Sequence, residues 1–286
     1  MNKKFIECGS HRLSLDGTLV MGILNVTPDS FYDGGTYSNT GDVLERARRM
    51  VADGVDILDV GGESTRPGSE PVSIEDEIGR VVPVIGALAC ELDVPVSADS
   101  YKPEVVSKAI EAGASMVNDV YGLRSEGMAE LVAESGLPVV IMHMQGTPKS
   151  MQDDPVYRDV VGDIKEFFRE RIEYAKSRGV KDGQIILDPG IGFGKNLEHN
   201  LEIIRRFIEF KELGYPLLVG ASRKSMIGQI LDAPPEKRLS GSIAVAVASI
   251  MNGADILRVH DVAETVQAAR VTDAVLLTGR LRRQPP

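Results

Sequence analysis

Ile185-Ile186-Leu187-Asp188-Pro189-Gly190-Ile191-Gly192-Phe193-Gly194-Lys195 is the stretch whose reading decides the fold. Its apolar residues Ile185, Ile186 and Leu187 suit a strand covered on both faces, as in parallel sheets wrapped by helices. Asp188 and Pro189 then stop that strand before a loop of glycines and a lysine, and such loops are where α/β proteins build sites. The glycines do not make a nucleotide motif. A phosphate-cradling loop needs G-x4-G-K-[ST], but Gly190 and Gly194 are one residue too close, and Asn196 follows Lys195 where a hydroxyl is required. A dinucleotide fingerprint fails as well, because Lys195 stands where its third glycine belongs. What remains is Asp188, a carboxylate at the tip of a strand.

Outward from this stretch the same pattern repeats. Apolar or β-branched runs occur at 19–24, 57–60, 94–97, 115–117, 138–142, 185–187, 216–219 and 255–259. Segments with helical periodicity lie between them, among them 43–52, 104–112, 129–134, 164–176, 201–210, 240–251 and 263–277. Eight strands alternating with helices, with no linker or low-complexity tract, predict a closed (β/α)8 TIM barrel in one domain over 1–286, the barrel itself spanning about 19–280. An open, doubly wound sheet is the alternative. Residues 5–15 around Cys8-Gly9-Ser10-His11 read as a β-hairpin placed to plug the bottom of the barrel.

Composition narrows the function. The 286 residues carry a formal charge of -10, which disfavours nucleic acid and anionic membranes as partners and favours small molecules. No long apolar run or leader is visible, and Cys8 and Cys90 have no ligand spacing, so a cytoplasmic protein with reduced thiols is expected.

Barrel sites lie at the carboxyl ends of the strands, and here every end is polar. In chain order these ends carry Asn25 to Ser30, Asp59 with Glu63 to Arg66, Asp99-Ser100, Asn118-Asp119, His143, Asp188, Ser222 to Ser225, and Arg258 to Asp261. Asp119, Ser222, Asp261 and Thr27 also suit helix caps. Asn25, Asp99 and Asp188 come directly off apolar runs, where an unpaired polar group is costly, and so read as ligands. Arg258 and His260 alternate and point the same way. Arg66, Lys195, Arg223, Lys224, Arg258 and His260 gather on one end of an acidic protein, where an anion is expected, helped by helix N-termini after Ser222 and His260. Carboxylates on the third and sixth barrel strands suit a flat heterocycle with an N–C–NH2 edge. His143 reads as a core or rim histidine, His11 and His199 as solvent-facing, and Met142 and Met144 as core. No set of residues suggests a covalent nucleophile.

Four segments, Met21 to Phe31, Gly61 to Gly68, Asp188 to Lys195 and Ser222 to Ser225, together resemble the dihydropteroate synthases of folate biosynthesis, a pterin-binding family. The resemblance covers about Leu13 to Leu277. It implies a barrel, usually a homodimer, that joins 4-aminobenzoate to 6-hydroxymethyl-7,8-dihydropterin pyrophosphate and releases pyrophosphate. It also implies that sulfonamides compete with aminobenzoate. By position, Asp99, Asn118, Asp188 and Lys224 resemble the pterin-binding set, with Met142, Phe193 and Gly220 shaping the pocket. Asn25, Arg66, Arg258 and His260 resemble the pyrophosphate set, Asn25 being the Mg2+ ligand. Phe31, Asp33, Thr65, Arg66, Pro67 and Ser222 resemble the aminobenzoate site. Asn25, Lys224, Arg258 and His260 would then carry the chemistry. Tyr32 departs from the small residue expected in the first loop, and Ser100 replaces the more usual Thr. A methyltetrahydrofolate methyltransferase shares the pterin groups but has no use for the anion set, and a non-catalytic barrel has no reason to keep every strand-end group.

Overall fold

In the computed structural model, which describes residues 5–26, 40–64, 69–146, 151 and 155–276, a parallel sheet forms the centre. A two-stranded antiparallel hairpin comes first, β1 (Phe5–Cys8) and β2 (His11–Ser14). The barrel strands follow as β3 (Leu19–Asn25), β4 (Ile57–Gly61), β5 (Val96–Asp99), β6 (Met116–Asp119), β7 (Val139–Met142), β8 (Ile185–Asp188), β9 (Leu218–Val219) and β10 (Ile256–Val259). Their order around the sheet is β8-β7-β6-β5-β4-β3-β10-β9. The ring closes between β8 and β9 through one parallel bridge, Leu187 to Leu217, with the Leu187 N–H donating to Pro216 O at 2.9 Å. The expected barrel is therefore observed and the open sheet is excluded.

The helices are α1 (Thr40–Ala52), α2 (Ile74–Glu91), α3 (Pro103–Glu111), α4 (Met128–Ser135), α5 (Val160–Ser177), α6 (Leu197–Arg205), α7 (Ser225–Leu231), α8 (Leu239–Met251) and α9 (Val262–Leu276). Periodicity left α2 and α7 unnamed. Pro83 sits inside α2, where it removes a backbone donor and blurs the helical reading, while Ser73 caps the start by accepting the Asp76 N–H at 3.0 Å. The segment 201–210, expected as one helix, divides into the end of α6 and a 3-10 turn at Phe207–Leu213.

Strand alternation sorts the side chains into two cores. Outward residues such as Leu58, Val60, Val117, Ile141, Leu187 and Leu257 pack under the helices in one large cluster. Inward residues Leu19, Met21, Ile57, Met116, Val140, Ile186, Leu218 and Ile256 form a second cluster, which Ile6 and Cys8 of the hairpin close from below. The hairpin is thus the plug that the sequence predicts. One step further along each strand, the inward positions change character.

Candidate active site

That next inward layer holds Asp59 in the middle of β4, Asn118 and Arg258 one residue before the ends of β6 and β10, and Asp99 and Asp188 as the last residues of β5 and β8. Arg258 lies between two carboxylates: its Nε donates to Asp59 Oδ2 at 2.6 Å and its Nη2 to Asp99 Oδ2 at 2.5 Å. Asn118 Nδ2 donates to the same Asp59 Oδ2 at 3.2 Å. The guanidinium is therefore at the mouth, as expected, but it is held by carboxylates of the barrel. Burial opposes its charge, yet Asp59 and Asp99 together raise its pKa above the ordinary arginine value. One guanidinium cannot neutralise two carboxylates, and burial pushes Asp99 up to about 7 against the pull of Arg258. Asp188 is also raised by burial, with nearby Lys224 opposing the shift.

Asp188 shows how a strand end becomes a recognition group. Its Oδ1 accepts the Gly190 N–H at 2.7 Å, which fixes the carboxylate and leaves the other oxygen without a protein partner among the described residues. The turn that provides this N–H needs glycine: Gly190 has φ +69°, and a Cβ there would lie 2.0 Å from the His143 carbonyl oxygen. Gly192, at φ +81°, leaves room for the stem of Lys224, whose Cδ would be 3.1 Å from an added Cβ. Lys224 Nζ donates to Ile191 O and lies 4.3 Å from the centre of the Phe193 ring. Burial lowers its pKa to about 7, although Asp188 pulls the other way. Met142 and Phe193 belong to one small apolar cluster with Val120, Met144 and Met151. Gly220 lies over the stem of Arg258, where an added Cβ would make ordinary contact at 3.7 Å.

The anion side is built from the loops after β9 and β10. Ser222 Oγ accepts the His260 backbone N–H at 3.2 Å and lies 3.1 Å from His260 Nδ1. With the hydroxyl proton directed to Nδ1, the imidazole carries its own proton on Nε2. Burial, then the charges of Arg258 and Arg223, lowers the His260 pKa to about 3, so this ring offers a neutral donor and not a charge. Ser222, which the resemblance assigns to the aminobenzoate site, also orients His260. Asn25 ends β3 with an exposed side chain.

Two members of the expected cation cluster take other places. Lys195 is buried beside His143, its Nζ 3.0 Å from Nδ1 and donating to Phe193 O at 2.8 Å. Burial lowers its pKa well below the usual lysine range, and it serves to hold the glycine loop. Arg223 is ion-paired with Asp261, which is thereby drawn from a purely capping role. Asp119 caps a turn and not a helix, accepting the Tyr121 and Leu123 N–H groups at 2.8 and 2.7 Å. His143 is a buried core histidine, as expected. His11 and His199 are half-buried, not free in solvent: His11 lies 3.3 Å from Asp93, and His199 closes a capping box with Asn196. Thr27, Phe31, Tyr32, Asp33, Thr65, Arg66 and Pro67 lie outside the described residues.

Asp59 is named by the sequence only as a polar strand-end group without a role, though a carboxylate inside the apolar run Ile57-Leu58-Asp59-Val60 is itself a signal. Behind the second loop lies a further buried cluster, in which Lys102 Nζ donates to Glu63, Glu77 and Val72 O, each at 2.6 Å, and Tyr101 donates to Glu63 at 2.9 Å. Among the described residues no group of His, Cys, Asp and Glu forms a metal cage. An ion such as Mg2+ takes oxygen ligands and keeps waters, and the exposed side-chain amide oxygen of Asn25 is a ligand of that kind.

A pterin-recognising barrel is the class these features define, and the family profile described as pterin binding enzyme matches residues 21–260. The chain belongs to that family. It is 51% identical to the dihydropteroate synthase of Escherichia coli over 264 residues, covering 92% of this chain and 94% of that one. The dihydropteroate synthase of Synechocystis is 47% identical over 260 residues, 90% of each chain. Among solved structures, a Yersinia pestis dihydropteroate synthase with a sulfonamide drug complex superposes with a TM-score of 0.92 at 47% identity, covering 95% of this chain and 99% of that one. A Xanthomonas albilineans dihydropteroate synthase in complex with 7,8-dihydropteroate gives 0.87 at 41% identity, covering 96% and 99%.

Proposed function

We propose that this chain is a transferase that condenses 6-hydroxymethyl-7,8-dihydropterin pyrophosphate with 4-aminobenzoate, giving 7,8-dihydropteroate and pyrophosphate. The observation that carries the reading is the convergence of Asp99, Asn118, Asp188 and Arg258 in one inward layer at the strand ends, in a chain 51% identical to a dihydropteroate synthase. Fixed carboxylates at one end of the barrel suit the N–C–NH2 edge of a pterin, which Asp188 can accept with the oxygen that has no partner among the described residues.

The reaction needs no covalent catalyst. The methylene of the pterin loses pyrophosphate to leave a ring-stabilised cation, and the aminobenzoate amine then attacks that carbon. The protein's task is to hold the ring and to stabilise the departing charge. Asp99, Asn118, Asp188 and Lys224 hold the ring, with Met142, Phe193 and Gly220 around it. Arg258 supplies fixed positive charge, and neutral His260 donates through Nε2. Lys224, with a pKa near 7, sits where it can donate to a ring nitrogen without a full desolvated charge. On the pyrophosphate side Asn25 would hold Mg2+, which would supply positive charge to the leaving group. Phe31, Asp33, Thr65, Arg66, Pro67 and Ser222 form the aminobenzoate side, with Arg66 shared with pyrophosphate, and sulfonamides compete there.

The working unit is a homodimer in the cytoplasm. An apolar groove of about 460 Å3 lined by Leu201, Ile204, Met226, Ala244, Val245 and Ala248 joins α6, α7 and α8, and exposed Ile230 and Leu231 belong to α7 and exposed Met251 to α8. An exposed apolar face of this kind suits burial against a second copy, and that supports the dimer reading. Two free cysteines suit a reducing compartment, and among the described residues no helix is long and apolar enough to cross a membrane.

The test is direct. The purified chain is incubated with Mg2+, the dihydropterin pyrophosphate and 4-aminobenzoate, and pyrophosphate release is followed beside Asp188→Asn. Release that requires aminobenzoate and collapses in the variant is the expected result; pterin binding without release overturns the assignment.

A further inference from the structure

We infer that Asp59 is a positioning residue for this reaction, holding Arg258 and Asn118 on a single carboxylate oxygen and so tying the leaving-group end of the site to the ring-binding end. This rests on the reaction assigned above. Asp59 is fully buried on β4, between the apolar plug below and the mouth above. Its Oδ2 receives Arg258 Nε at 2.6 Å and Asn118 Nδ2 at 3.2 Å, bringing together residues far apart in the chain.

A purely structural role accounts poorly for this carboxylate. Immediately beneath it, the inward positions of the same strands are filled by Ile57, Met116 and Ile256, so apolar packing is available to this layer. A buried ion pair is commonly no more stable than apolar residues of the same volume, and its retention points to a need for fixed geometry. Among the described residues, Asp59 Oδ1 is also buried without a hydrogen-bond partner, as is the Oγ of Ser97, its register partner on β5. A fold optimised for stability alone pairs such atoms.

The geometry has a chemical meaning. Arg258 is shared between Asp59 and Asp99, and Asp99 belongs to the ring-binding set of the reaction assigned above. When a ring nitrogen engages Asp99, Arg258 keeps its anchor on Asp59 and stays aimed at the departing anion. Without Asp59, the guanidinium has only the ring-binding carboxylate to hold it, and the two tasks compete. Asn118 loses its orientation by the same change, which weakens ring binding and is read in the KM for the pterin substrate, whereas the loss in kcat runs through Arg258.

Asp59→Asn, Arg258→Gln and the double variant in the full chain test this. Asp59→Asn is expected to lower kcat about 100-fold, the scale of a lost preorganised transition-state contact, and to weaken inhibition by added pyrophosphate about 10-fold, with the KM for aminobenzoate changed less than about 2-fold. Because Asp59 acts through Arg258, the double variant should be no slower than Arg258→Gln alone. Unchanged kcat in Asp59→Asn with only a lower Tm overturns the inference, as do losses that multiply in the double variant. If Asp59→Asn fails to fold, the double variant, which removes both charges of the pair, is compared with Arg258→Gln, and a lower kcat in the double overturns it. Absence of pyrophosphate release from the unaltered chain sinks the reaction and this inference with it, whereas release with multiplying losses sinks the inference alone.

Discussion

The two inward layers of the barrel lie one residue pair apart on the same strands and are made on opposite terms. Ile57 and Asp59 share β4, Met116 and Asn118 share β6, Ile186 and Asp188 share β8, and Ile256 and Arg258 share β10. The lower residue of each pair is packed against the hairpin plug, while the upper one is held by hydrogen bonds, charge or a turn. Backbone geometry is common to both layers, so the change is due to side chains alone. The lower layer gives stability without specificity of shape for a ligand, and the upper layer gives recognition at the expense of desolvated charge.

The pair on β8 offers the sharpest way to break this comparison. Ile186→Ala removes a fully packed side chain and is expected to destabilise the fold by about 2–5 kcal/mol, read from urea unfolding, with kcat and KM unchanged below the transition. A change in KM for either substrate would mean that the layers are mechanically linked. Asp188→Asn should do the reverse, reducing kcat/KM by about 100- to 1000-fold with a Tm equal to or above that of the unaltered chain. A large loss of Tm there would place Asp188 in the structural layer.

The smallest effect is a matter of pH. Asp99 has a folded pKa raised from 3.8 to about 7, so the folded state binds the proton more tightly than the unfolded state does. Its contribution is therefore lost as pH rises from about 4 through about 7. Asp99→Asn removes that penalty, and the Tm difference between variant and unaltered chain should move in the variant's favour from pH 5 to pH 8. A difference that stays constant in calorimetric scans counts against a raised Asp99.

Most of the fold was legible because apolar runs and their spacing depend on nearest neighbours in the chain. Ile185 to Leu187 could only be a covered strand, and Asp188 at its end followed. The residues that escaped reading depend on partners brought in from elsewhere. Asp59 sits amid apolar neighbours, and its meaning appears only when Arg258 and Asn118 arrive from distant strands. Lys195 reads as one of the cations gathered at the anion-binding end until the fold places it beside His143. Pro83 hid α2 because a local rule was overridden by tertiary packing of that helix. The aminobenzoate residues of the first two loops lie outside the described residues, so they stand as the resemblance assigns them.

β9 is only two residues long, and the ring is fastened there by the single bridge from Leu187 to Leu217. A ring with one thin clasp opens first at the clasp. Amide protons at Leu187 and Leu218 should exchange with deuterium earlier than those of β4, which pairs along its whole length with β3. That seam runs directly below Asp188 and Gly220, so breathing of the backbone and loosening of the ring pocket are one motion, and a ligand seated there would slow exchange on both sides of the seam.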